Sequence, residues 1–168
     1  MPGFMKIASG PYCATYDGND VGEVEGVYRM QISASGRDVT SSKHGDAVVD
    51  SIYRGLNVFM IVQFKEWTAA TKSIIWPWDA TLGESGEHGR LFSELAKPLV
   101  LTASPGTPAA TEGPVTVTIP LALYAPAHTA EITFGIEERI VPIVFRAYPC
   151  KSSGAPAASS KLTYFTTT

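Results

Sequence analysis

Apolar and polar residues alternate with a period of two over much of the chain. From Val27 to Ser33, Tyr28, Met30 and Ile32 alternate with Arg29, Gln31 and Ser33, which predicts a strand with one face buried. Val115 to Leu121 sets Val115, Val117, Ile119 and Leu121 against threonines. Pro120 has no N–H to give a ladder, so that strand end belongs at an edge or a bulge. Ala130 to Ile136 alternates Ile132, Phe134 and Ile136 with Glu131 and Thr133. Ile140 to Tyr148 predicts a further strand, interrupted by Pro142, and Lys161 to Thr166 a short last one. Leu56 to Trp67, LNVFMIVQFKEW, is apolar on both faces in its middle. Such a strand needs cover twice, from the domain's own core and from something else. Near the start, Pro11 to Tyr16 and Asp20 to Glu25 predict a hairpin, with turn chemistry from Asp17, Gly18 and Asn19.

Helical spacing is scarce. Glu87 to Lys97 places Leu91, Phe92, Leu95 and Ala96 on one side, and Pro98 stops the pattern. Lys97 then sits where a cation suits the helix dipole. Thr68 to Ile75 is a weaker candidate for a short helix or turn. Thr102 to Pro114 and Lys151 to Ser160 are rich in Pro, Gly, Ala, Ser and Thr and predict loops. About seven strands with one helix point to a mainly β fold, a two-sheet β-sandwich or barrel with one flanking α-helix. The organisation expected is one domain over 1–149, then a linker and C-terminal arm or strand over 150–168.

Composition sharpens this in one respect. Charged residues make up 17% of the 168 residues, against about 25% in ordinary globular chains, while apolar residues stand at 45%. Much of the surface is therefore expected to be hidden in an assembly. The 13 basic residues are scattered and the net charge is −3, which disfavours a tight grip on nucleic acid. Cys13 and Cys150 are too few for a disulfide framework and match no zinc spacing. The opening MPGFMKIASG lacks the pattern of a signal peptide, and no apolar run approaches the ~18 residues of a membrane span. Synthesis and folding in a cytoplasm are expected.

Catalytic constellations are thin. His44, Asp46 and Asp50 place an imidazole near two carboxylates, but without further converging ligands they read as exposed loop residues. His88 and His128 read as surface histidines. No GxSxG elbow occurs, and Gly83-Glu84-Ser85-Gly86 lacks the Lys and Ser/Thr of a phosphate loop. Glu137 and Glu138 adjoin in a predicted turn, a poor geometry for facing one sugar from two sides. Trp76-Pro77-Trp78 follows the longest strand and suits a packing or subunit contact, or alternatively a carbohydrate-stacking platform. No enzyme activity, cofactor or metal is expected.

Three segments, in order, resemble the tail tube proteins of long-tailed, non-contractile bacteriophages. They are Gly10 to Gly22 (GPYCATYDGNDVG) leading into EGVYRMQIS, Gly45 to Trp67 (GDAVVDSIYRGLNVFMIVQFKEW), and Gly89 to Ala103 (GRLFSELAKPLVLTA). The resemblance covers most of residues 10–147. It implies packed β-sheets with a helix on the flank, and hexameric rings stacked into a hollow tube around a tape-measure protein. The tube would meet tail terminator and tail-tip proteins and carry DNA only as passive cargo. The tail of the virion would be its place, after assembly in the host cytoplasm. Within that expectation Arg29, Gln31 and Ser33 are candidate lumen-lining residues. His44 and Asp46 in the 39–48 loop, Pro105 and Pro108 in the 104–114 loop, and Trp76 and Trp78 are candidate inter-subunit contacts. Other tail or head-tail joining components, and a carbohydrate-binding β-sandwich, are the alternatives.

Overall fold

The computed structural model describes residues 11–86, 88–107, 110, 114–132, 140–151 and 162–168. Its first hairpin joins β1 (Tyr12–Tyr16) to β2 (Asn19–Asp20). The two-residue turn between them has Asp17 at φ 51° and Gly18 at φ 79°. Positive φ at both positions is what a type I′ turn demands, and Asp-Gly supplies it. After β2, Val21 is buried in the core and its N–H donates to the Ala14 carbonyl, and the chain then meets the end of β4 through the isolated bridge of Val24 with Phe64 and the flanking bonds of Glu25 to Gln63 and Lys65 to Glu23. The strand predicted from Asp20 to Glu25 is therefore shorter than its sequence suggested, because Gly22, at φ 80°, breaks the extended run.

Two long strands follow, β3 (Arg29–Ser41) and β4 (Ala47–Phe64), paired antiparallel over the whole of β3 and from Ala47 to Ile61 of β4. The helix α1 (Ala69–Ile75) begins at an N-cap, where the Thr68 hydroxyl accepts from the Thr71 N–H at 3.1 Å. A single turn, α2 (Phe92–Leu95), leads into β5 (Lys97–Ala103), β6 (Thr116–Tyr124) and β7 (Val141–Ala147). The short strands β8 (Cys150–Lys151), β9 (Leu162–Thr163) and β10 (Thr166–Thr167) complete the described chain.

The mainly β expectation holds. One eight-stranded antiparallel sheet runs β2-β1-β5-β6-β7-β4-β3, with β10 beside β6, and a two-stranded ribbon pairs β8 with β9. The sheet rolls around its core without closing into a barrel. Inside the roll, Val58, Met60, Val62 and Phe64 of β4 meet Ile143 and Phe145 of β7, Leu99 and Leu101 of β5, and Tyr16 of β1. Phe145 has the Tyr16 ring at 5.7 Å and the Phe64 ring edge-on at 6.3 Å. Ile74 and Ile75 of α1 join this core.

Proline placement matches its chemistry. Pairing of β5 with β6 slips between Lys97↔Ala122 and Leu99↔Ile119, so Pro120 lies in a bulge. The helix predicted over 87–97 is corrected to the turn 92–95. Gly89 at φ 81° breaks it upstream, Pro98 disfavours helix at Lys97, and Ala96 is already extended. No side chain of α2 is buried, although Ala96 just beyond it is. Ala130 to Ile132 form no strand, and 133–136 lie outside the described residues. The predicted last strand divides into β9 and β10, with a bend at Tyr164.

Candidate assembly surface

β4 pairs with β7 only from Phe59 to Phe64, but with β3 from Ala47 to Ile61. From Ser33 and Asn57 outward, therefore, the β3–β4 pair has no third strand beside it among the described residues. It runs off the sheet as a two-stranded arm. The residues 39–48, expected as a loop, are mostly ladder: Val39 to Ser41 pair with Asp50, Val48 and Ala47. The tip is only the 3-10 turn Ser42–His44 with Gly45 and Asp46, whose φ values are 68° and 61°. The Asp46 N–H returns to the Ser41 carbonyl at 3.1 Å. His44 and Asp46 thus sit at the arm's tip. Asp50 lies down the strand, beside Ser51, which donates to Asp38 at 2.7 Å.

The arm is apolar where water reaches it. Val48 is 57% exposed, Ile52 58% and Tyr53 64%. Ile52 and Tyr53 are neighbours in a strand and so point to opposite faces. Ile32 is exposed as well, although it pairs with the buried Val58 on the core-facing side as its alternation predicted, because β3 is the outer strand of the sheet. Irregularities opposite Ser35/Gly36 and Val39/Thr40 bend the ladder. A two-stranded hairpin alone in water is marginal, and one with grease on both faces asks for cover. β3 is also the sheet's outer strand, thirteen residues long and free of proline, which leaves backbone groups open for pairing.

Nearer the body, Arg29, Gln31 and Ser33 are exposed on the face away from the core. Across the sheet they continue as Arg29–Ile61–Val144 and Gln31–Phe59–Arg146. Phe59 and Ile61 are half-buried, whereas Val58, Met60 and Val62 on the other face are buried. The strand with two apolar faces is thus real, and its outer face is partly open.

Trp76 and Trp78 lie at the other end of β4, where Trp67 follows the strand. All three tryptophans of the chain line one pocket of about 660 Å³, with Ile75, Leu82, Tyr124 and Ile132. The Trp78 ring meets Phe92 edge-on at 5.5 Å. Three polar side-chain atoms at the pocket are engaged within the protein. Trp76 Nε1 donates to the Glu84 carbonyl at 2.7 Å, and Tyr124 Oη donates to the His128 carbonyl at 2.6 Å while accepting from the Ala130 N–H. His128 Nε2 faces the Pro142 carbonyl at 3.2 Å. The sequence singled out WPW but not its convergence with Trp67, which only the turn after β4 and the return of the chain through α1 bring about.

No protein-family model matches the chain, and no curated protein does.

The remaining candidates are placed as follows. Pro105 is exposed in the turn Ser104 to Thr107, where Gly106 has φ 77° and the Thr107 hydroxyl donates to the Ser104 carbonyl at 2.7 Å. Pro108, Glu137 and Glu138 lie outside the described residues. Among the described residues no three His, Cys, Asp or Glu gather as metal ligands. No helix of the structure is long and apolar enough to cross a membrane. Cys13 is exposed and Cys150 half-buried, and neither is in a disulfide.

Proposed function

We propose that this chain is a non-catalytic structural subunit that polymerises through its own copies, in the manner of the phage tail tube proteins its sequence resembles. One observation carries the reading: the β3–β4 arm extends past the last flanking strand with Val48, Ile52 and Tyr53 exposed. Copies of the chain are the cover most readily supplied to every molecule alike. Contacts between two different patches of one chain repeat without end, so they build rings where the rotation closes and filaments where it does not. The open β3 edge and the partly bare outer face of β4 add to this need. In the tube Arg29, Gln31 and Ser33 face the lumen, where few cations let DNA pass without being held. The partners are a tape-measure protein within, and terminator and tip proteins at the ends. The place of action is the virion tail.

Negative-stain microscopy and sedimentation of the purified chain across concentration test the proposal. Rings or hollow tubes are expected. A molecule that stays monomeric at the highest concentrations reached would overturn it. Growth arrested at a single ring would favour a joining component instead. The carbohydrate-binding reading draws on the convergence of three tryptophans, but Trp76 Nε1, Tyr124 Oη and His128 Nε2 are already bonded within the protein.

A further inference from the structure

We infer that the tryptophan pocket is the socket for the β3–β4 arm of the next copy. This rests on the self-assembly reading and names its two mating surfaces. Both are apolar and sit on one chain. The arm offers Val48, Ile52 and Tyr53 to solvent. The pocket offers Trp67, Trp76, Trp78, Leu82, Tyr124 and Ile132, and no Asp, Glu, Lys or Arg is among its lining residues.

Their positions exclude a match within one molecule and favour one between molecules. β4 runs from the arm, at Ala47, to Phe64, three residues before Trp67. Ile52 is therefore separated from the pocket end of the strand by roughly 40 Å at about 3.3 Å per residue. A copy carries a greasy projection at one pole and a greasy recess at the other. Stacked head to tail along β4, each projection reaches the recess of its neighbour, and the contact repeats without closing. The occupant must also be apolar. Trp76 Nε1, Tyr124 Oη and His128 Nε2 are engaged inside the protein, and the lining carries no charged side chain, so the recess gives mainly aromatic and aliphatic faces. The exposed aliphatic side chain of Ile52, on one face of the arm, suits such walls.

The chain reports on this contact directly, since its three tryptophans all line the recess and Trp67 is 46% exposed. Tryptophan emission of the unaltered protein is followed while sedimentation and microscopy record assembly. A shift to shorter wavelength in step with polymer growth is expected. A second measurement places Ile52→Cys and Leu82→Cys in a Cys13→Ser, Cys150→Ser background and adds a short bismaleimide. Linkage between copies should give a ladder of covalent oligomers on denaturing gels, and each single variant should give none beyond dimer. Tubes that form with unchanged emission, or without a ladder, would overturn the socket while leaving self-assembly standing. A protein that never assembles removes the self-assembly reading, and the socket falls with it.

Discussion

The Tyr16 hydroxyl donates to the backbone carbonyl of Ala122 at 3.1 Å, linking β1 to β6 although β5 lies between them in the sheet. The bond is buried, and its acceptor stands two residues beyond the proline in the β6 bulge. It holds the roll where regular pairing is interrupted. Tyr16→Phe keeps the ring against Phe145 but removes the donor. The expected cost is about 1–3 kcal/mol, the usual range for a buried hydrogen bond whose partner is left unmatched. Urea unfolding should show a lower midpoint with an unchanged slope. An unchanged midpoint would mean that the bond contributes nothing to closing the roll.

Gly55 marks the root of the arm. Its φ is 139°, and a Cβ there would come within 3.3 Å of the Tyr164 hydroxyl. Gly55→Ala therefore meets a backbone penalty and a steric one. The backbone part alone should destabilise by about 1–3 kcal/mol. Adding Tyr164→Ala should recover only the steric part, so the double variant stays less stable than Tyr164→Ala alone. Full recovery would mean that backbone strain is not the issue at this position.

Alkaline pH supplies a third test. Burial pushes the Tyr28 phenol up to about 12, and the nearby Cys13 and Asp20 add to the rise. Burial, with help from Asp17, raises Tyr16 as well. A phenol whose pKa is raised on folding binds its proton more tightly in the folded state. Its contribution is therefore complete below about pH 10, the unfolded value, and is lost as pH climbs toward the folded one. Stability should fall between pH 10 and 12, and Tyr28→Phe should flatten that fall. The same slope in the variant would show that Tyr28 is not the group responsible.

Much of the β content was readable because burial and alternation coincide near the core. Tyr16, Ile119, Phe145 and the 58–64 run all follow the period-two rule, and Pro120 announced its bulge. The Asp17-Gly18 turn was readable for a local reason, since few residues accept positive φ. The arm was not readable as an arm. Residues 33–55 mix Ser, Thr, Gly and charge with Val, Ile and Tyr, and a strand exposed on both faces leaves no periodic trace. The short α2 falls short of the helix that 87–97 predicts, because helical spacing says nothing of Gly89's backbone. The tryptophan pocket was half visible: Trp76 and Trp78 drew notice, but convergence with Trp67 is a tertiary event.

The arm makes the sharpest prediction, because stability and assembly should separate there. Ile52 is exposed, so Ile52→Asp should shift folding stability by no more than about 0.5 kcal/mol. Burial of one isoleucine in a contact between copies contributes on the order of 1.5–3 kcal/mol, and a carboxylate would also have to be desolvated. Each 1.4 kcal/mol is about tenfold in concentration, so the critical concentration for polymers should rise at least roughly tenfold. Arg37→Ala, across the ladder from Ile52, removes no large apolar side chain and should leave that concentration nearly unchanged. Pelleting assays over a dilution series read both numbers. If Ile52→Asp polymerises at the parent concentration while remaining as stable, this face of the arm lies outside the interface.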